Sequence, residues 1–323
     1  VRLATLDDGT PDGRLVVVSS GGERCLYAGP RWPGLLAAIE DWAVAEADLR
    51  NIATRLENGE GIALDPDRLC APLPRTWQWL DGSAFLTHAR LMEVAFATDP
   101  IPHDRPLMYQ GMSDRFLGPT EDARFPGAEH GIDFEGEFAV VVDHVPMGTT
   151  ADEAMRHIKL VLQVNDWSLR AHAVPEMKTG FGFILAKPAC SVAPFAVTPD
   201  ALGEGWHDGR VCLDLQIDWN GQRFGSANGR EMSVGFHDLV AHAALTRDLA
   251  AGTIVGSGTV ANEGYAEVGS SCISERRAIE IIAGGKPDTP FMSLGDRVRM
   301  EAVDAAGHAP FGAIDQRVVG PGN

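Results

Sequence analysis

The sequence predicts an α+β, strand-rich fold, and three observations carry that expectation. Glycine accounts for 36 of the 323 residues, which implies many turns. Short apolar runs, among them Leu15-Val16-Val17-Val18, Ala139-Val140-Val141-Val142 and Leu160-Val161-Leu162-Gln163-Val164, read as strands. Helical spacing is confined to separate segments, the longest marked by Leu35, Leu36, Ile39, Trp42, Ala43 and Leu49 and running through Arg55 to Asn58-Gly59. A chain of this length accommodates one large domain and a smaller one, each with its own core.

The prolines of Ala71-Pro72-Leu73-Pro74 make a stiff connector, which sets the expected boundary between a small α/β N-terminal domain, 1–71, and a larger catalytic domain, 72–323. Composition narrows the function. Hydrophobic residues make up 45% and charged residues 22%, as in ordinary folded proteins. No apolar run approaches the roughly 20 residues that span a bilayer, and the N-terminus lacks signal-peptide character, so a soluble, cytoplasmic protein is expected. The net charge of -18 argues against nucleic acid or an anionic membrane as partner. Cys25, Cys70, Cys190, Cys212 and Cys272 are odd in number and lack C-x-x-C spacing, and they read as reduced thiols.

The stretch Phe134-Glu135-Gly136-Glu137-Phe138 carries the strongest chemical signal. Alternate side chains of a strand share a face, so Glu135 and Glu137 put two carboxylates beside a buried apolar run. Such charges need a counter-charge, and all-oxygen ligation suits a hard divalent ion such as Mg2+, Mn2+ or Ca2+. An exposed edge strand with two solvated glutamates is the other account of the same residues.

Other stretches add candidates in chain order. Asp81 and His88 stand seven residues apart, near enough to two helical turns to share one side of a short helix or turn. Leu107 to Asp114, including Tyr109, and Phe116 to Pro119 have the mixed aromatic and polar character of a pocket wall. Thr150 and Glu153 form a capping box that starts a helix through Ala154, Met155 and Ile158. Asp166 follows the strand Leu160 to Val164, and Arg170 lies four residues on. Lys187 closes the apolar run Gly180 to Pro188, as a lysine that snorkels from a strand end would. Leu213 to Trp219 alternates as a strand, Asn220-Gly221 reads as a hairpin turn, and His237 to Leu249 reads as a helix. Thr253 to Thr259 predicts a strand entering a glycine-rich turn that offers N–H groups and a hydroxyl to an anion. Leu294 to Met300 reads as a turn entering a strand.

Taken together, these blocks resemble the fumarylacetoacetate hydrolase family from about Pro72 to Val319. Asp81 with His88, Glu135-Gly136-Glu137, Asp166-Trp167-Ser168 with Arg170, Lys187 and Gly258-Thr259 occur in the family's order and at nearly its spacings. The resemblance implies a mixed β-roll catalytic domain, usually in a homodimer with active sites near the dimer contact. It implies Asp81, Glu135, Glu137 and Asp166 as metal ligands, with Mg2+ or Mn2+ the expected ion and Ca2+ an alternative. It gives His88 the role of general base, Arg170 and Lys187 that of catalytic cations, and Tyr109 and Thr259 that of substrate contacts. The activity implied is hydrolysis of a carbon–carbon bond in a β-diketo acid of the fumarylacetoacetate or acylpyruvate type, through a metal-stabilised enolate. Decarboxylation, tautomerisation or hydration of a 2-keto acid uses the same platform, and a non-enzymatic acid-binding homologue is the third reading. The sequence departs from the family in two places. Ile273 stands where the glutamate partner of the base is expected, leaving Glu275, at an even step along the expected strand, and Glu263 and Glu267 as candidates. Ala173 stands where the family has a substrate-polarising glutamine.

Overall fold

The structure, a computed structural model, describes residues 1–98 and 105–322. Its centre is the strand Gly136–Val142, in which every residue is buried. Phe138, Val140 and Val142 pack into one core, while Ala139 and Val141 pack into another on the opposite face. Burial on both faces is why the sequence here runs continuously apolar rather than alternating.

That strand pairs antiparallel with Ile158–Asn165 on one side and Ile254–Gly256 on the other, and the latter runs parallel to Trp79–Gly82. These belong to an 11-stranded mixed sheet. The opening strands Arg2–Leu6, Arg14–Val18, Arg24–Tyr27 and Ile62–Ala63 extend the same sheet, joined through Leu3↔Ala196. A second, five-stranded sheet holds the Asp214–Trp219 and Gln222–Asn228 hairpin beside Arg297–Val303 and Ala313–Val319. Leu215, Ile217, Val298 and Met300 of this sheet share a core with Phe138 and Val140. The fold is thus the mixed α and β, strand-rich architecture that the sequence predicts. The hairpin turn falls at Asn220 and Gly221, both at positive φ, as a two-residue turn matched to strand twist requires.

Helix lengths differ from expectation. The helix expected over Leu35 to Arg55 is broken at Asp41 into Leu35–Glu40 and Trp42–Glu57. The Thr150–Glu153 capping box forms, but its helix ends at Ala154, a 3-10 turn takes Met155–His157, and Ile158 already begins a strand. Pairing of Ile158 with Val142 overrides the local helical signal. The helix expected over His237 to Leu249 is Phe236–Ala243, because Leu249 bridges to Val145 instead. Among the described residues, no helix is long and apolar enough to cross a membrane.

Candidate metal centre and base

Asp81 and His88 do not share a helix or turn. Asp81 lies in the strand Trp79–Gly82, while His88 sits in the first turn of the helix Leu86–Phe96. Both side chains line one cavity. The glycine-rich turn closes over Asp81: Gly258 N donates to Asp81 Oδ1 at 3.1 Å, so the acceptor met by this turn is the protein's own carboxyl group. A Cβ on Gly256 would lie 2.3 Å from Asp81 Oδ1, and one on Gly258 2.5 Å from Gly82 O. Gly258 also has φ +76, so both close approach and backbone conformation demand glycine there.

Glu137 and Asp166 are fully buried and Asp81 nearly so. Oxygens of Asp81, Glu137 and Asp166 lie within 4.8 Å of one another. Burial pushes the Asp81 carboxyl well above the usual range, reinforced by the charge of Asp166; Glu137 is raised likewise by burial and by Asp81. Glu137 Oε2 has no hydrogen-bond partner among the described residues. An orphaned oxygen in a buried cluster of acids fits a hard divalent cation, which would supply the missing charge and ligation. Glu135 stands apart from these three. Its Oε1 accepts from Arg170 at 2.6 Å and its Oε2 from Lys187, so although burial would raise its pKa, the two cations hold it well below the carboxylate range.

Lys187 does not snorkel. Gly180 to Pro188 forms turns rather than a strand, and the ammonium points inward, donating to Asp166 Oδ2 at 2.6 Å as well as to Glu135. Burial works against its charge, but Asp166 and Glu135 prevail and hold it protonated. Tyr109, in the strand Met108–Gly111, also donates to Asp166 Oδ2 at 2.6 Å; burial and the Asp166 charge push its phenol up. Thr259 reaches Glu137 Oε1 at 3.5 Å, and Cys190 Sγ lies 2.9 Å from Asp166 Oδ1. Cys190, read as a scattered thiol, thus belongs to the support of the site.

Glu275 is the partner of His88, with Oε1 2.7 Å from Nδ1. It stands in the first turn of the helix Ile273–Gly284, not on a strand, so the two-residue offset from Ile273 is a step around a helix N-terminus. Its second oxygen accepts from Ser271 N at 3.0 Å. The other two candidates are exposed, and Glu263 pairs with Arg90 at 3.0 Å. Ala173 is buried against the cavity wall.

Sequence reasoning missed Asp133. It is fully buried, receives Arg170 Nε at 2.8 Å, and accepts hydrogen bonds from Ile273 N at 2.7 Å, Ser274 N at 3.0 Å and Ser274 Oγ at 2.8 Å. No local signal placed it: Asp133 lies in the separate short strand Ile132–Asp133, which pairs with Ser168–Leu169 and so stands beside Arg170.

Residues 78–319 match the family model described as "Fumarylacetoacetate (FAA) hydrolase C-terminal", and residues 1–75 match "Fumarylacetoacetase N-terminal domain 2". The 2,4-didehydro-3-deoxy-L-rhamnonate hydrolase of Sphingomonas sp. (strain SKA58) is 27% identical over 164 residues, covering 50% of this chain and 54% of that protein. The Homo sapiens mitochondrial oxaloacetate tautomerase FAHD2B is 24% identical over 181 residues, covering 55% and 54%. The chain spans about half the length of these two curated relatives, 54% in each case. A crystal structure of maleylpyruvate hydrolase from Sphingobium sp. SYK-6, in complex with manganese (II) ion and pyruvate, superposes with a TM-score of 0.66 at 16% identity, covering 99% of both chains; this is a likeness of fold. Because the C-terminal family model covers most of its length, the chain belongs to the fumarylacetoacetate hydrolase family.

Proposed function

We propose that this chain is a divalent-metal-dependent hydrolase that cleaves a carbon–carbon bond in a β-diketo acid of the fumarylacetoacetate or acylpyruvate type. The observation that carries this reading is His88, paired with Glu275 at 2.7 Å and lining the same cavity as Asp81 and Glu137. Asp81, Glu137 and Asp166 would hold the ion, with Glu135 as a fourth ligand. When bound, Mg2+ or Mn2+ supplies Lewis acidity toward the oxygens of the keto acid.

The chain's own residues do the rest. Glu275 holds the Nδ1 side of His88, which leaves Nε2 to take a proton from water. The resulting hydroxide adds to the ketone remote from the carboxylate. The bond from that carbon to the adjoining CH2 then breaks, and its electron pair leaves with the oxo acid fragment, a 2-oxo acid from an acylpyruvate or a 3-oxo acid from a fumarylacetoacetate-type substrate, which takes up the proton. Arg170 and Lys187 offset the negative charge of the carboxylates and of the departing fragment, while Tyr109 and Thr259 contact substrate.

Tautomerisation is the second reading, favoured by the 24% identity to an oxaloacetate tautomerase. Incubation of an acylpyruvate with enzyme and Mn2+ in 18O-water and, in parallel, in D2O, followed by mass spectrometry, separates the two. Hydrolysis yields two acids, one carrying the heavy oxygen; C3 deuterium exchange without a second product favours tautomerisation. The exposed apolar side chains of Phe181, Ile184 and Leu185, on the loop leading to Lys187, support a homodimer formed beside the cavity.

A further inference from the structure

His88 belongs to a second group of candidate metal ligands, different in chemistry from the carboxylate cluster. Donor atoms of His88, Cys272 and Glu275 lie within 4.8 Å of one another. Glu275 Oε1 is 2.7 Å from His88 Nδ1. Cys272 stands at the N-cap of the helix Ile273–Gly284, where its Sγ accepts from Glu275 N at 3.3 Å. Cys272 and Glu275 are buried, while His88 lines the cavity and gives the group one side open to it.

The donor set is one sulfur, one imidazole nitrogen and one carboxylate oxygen. Sulfur and nitrogen select a borderline-soft ion such as Zn2+ or its softer analogue Cd2+, whereas the oxygens of Asp81, Glu137 and Asp166 suit Mg2+ or Mn2+. With bonds of roughly 2.0 Å to nitrogen or oxygen and 2.3 Å to sulfur, ligand atoms around tetrahedral zinc stand about 3.3 to 3.5 Å apart. No pair here need change its separation by more than about 1.5 Å to reach that spacing. The surrounding charge also favours a cation. Burial pushes the Cys272 thiol well up, and the charges of Glu275, Asp133 and Glu135 add to this against Arg170. The thiol is thus neutral in the metal-free protein, and the acids that keep it so draw a metal ion. Coordination sends its proton to solvent and leaves a thiolate. The imidazole is then lost as a base. An ion at Nε2 occupies the lone pair that accepts water's proton, and an ion at Nδ1 moves the ring proton to Nε2.

We propose that Cys272, His88 and Glu275 form an inhibitory site for a soft divalent ion of the zinc class, separate from the carboxylates that hold the activating ion. Inhibition rests on the base role proposed above; binding does not. The Mn2+-saturated protein is titrated with Cd2+, whose bond to a thiolate absorbs in the ultraviolet. The parent should gain a thiolate band, and Cys272→Ser, which keeps a side-chain cap, should lose one equivalent of it. Cys272→Ala gives the same reading if the serine variant fails to fold. An identical band in the parent and a folded variant, or no band in the parent, overturns the site.

Zn2+ added to the Mn2+-saturated enzyme should lower acylpyruvate turnover at least about tenfold, and excess Mn2+ should not restore it. The Zn2+ concentration for half-inhibition, each protein being compared with its own zinc-free rate, should rise at least about tenfold in Cys272→Ser. Inhibition that excess Mn2+ relieves, or that is equal in parent and variant, puts zinc at the carboxylates and overturns the inference. A Cys272-dependent band with undiminished turnover overturns the inhibition. A Cys272-dependent band in a protein that cleaves no acylpyruvate supports the site and counts against the hydrolase reading alone, and deuterium exchange at C3 then reports the inhibition.

Discussion

Arg170 Nε donates to Asp133 Oδ2 at 2.8 Å, and this contact joins the two halves of the site. On one side Arg170 grips Glu135, next to the carboxylate cluster; on the other Asp133 caps the helix whose first turn carries Glu275. Both side chains are buried, so removing one partner leaves an uncompensated charge. Asp133→Asn should cost about 3 kcal/mol of stability in urea unfolding. The exposed Arg50–Asp200 pair at 3.0 Å is the control, since breaking it should cost less than about 1 kcal/mol. Equal effects from the two substitutions would remove Asp133 from the framework of the site.

Metal affinity should rise with pH. In the metal-free protein Asp81 and Glu137 have raised pKa values, so a bound ion must displace protons from them. A raised carboxylate contributes stability that is present below its unfolded value, about pH 4, and lost as pH rises through its folded value. Glu135, held low by Arg170 and Lys187, contributes in the opposite sense: its stabilisation is present above about pH 4 and lost as pH falls. The thermal stabilisation conferred by a fixed Mn2+ concentration should therefore be larger at about pH 8 than at about pH 5. A shift independent of pH would argue that these acids do not hold the ion.

Much of this centre was legible in the sequence because strand periodicity is strict. One step of two residues brings Glu135 and Glu137 to the same cavity, whereas Asp133 belongs to the separate strand Ile132–Asp133 and is placed by its pairing with Ser168–Leu169. The pairing of His88 with Glu275 spans 187 residues and depends on where the helix Ile273–Gly284 begins, which local pattern does not fix. Lys187 misled for a related reason. An apolar run ending in lysine reads as a strand end, yet Glu176 accepts from Ile184 N, Leu185 N and Ala186 N and fixes the turns that send the ammonium inward. Helix ends at Ala154 and Ala243 were set by the pairing of Ile158 and Leu249, contacts invisible to propensity.

Glu137→Gln should separate two properties. Burial, reinforced by Asp81 and Asp166, favours the protonated form of Glu137 in the metal-free protein, so a neutral amide of the same shape should leave the metal-free melting temperature little changed near neutral pH. It also removes an anionic ligand, so Mn2+ affinity in calorimetry should fall at least about tenfold. A fall in both would favour a purely structural role for the acid.

A homodimer should persist when the apolar loop is intact. Phe181 and Ile184 are 99% and 84% exposed, a cost that association would relieve. Light scattering should report a dimer for the parent and a shift toward monomer for Phe181→Ser with Ile184→Ser. A parent that is monomeric across the micromolar range would remove the dimer from the proposal.

The sharpest test falls on His88 and Glu275 together. If His88 takes a proton from water, His88→Ala should lower turnover by about 100- to 10,000-fold while Mn2+ affinity persists, because the clustered acids are untouched. Glu275→Gln should lower turnover in the same direction, since the amide no longer favours a protonated ring, and the double variant should be little worse than His88→Ala because the two act as one unit. If the pair only braces the helix Leu86–Phe96 against Ile273–Gly284, each substitution should lower the melting temperature and leave folded enzyme nearly as fast. Tautomerisation gives a third pattern, in which no carbon–carbon cleavage is seen for any form but His88→Ala still slows deuterium exchange at the substrate's C3. Measuring turnover, melting temperature and C3 exchange on the three variants separates these outcomes, and unchanged turnover and exchange in His88→Ala would take the histidine out of the mechanism.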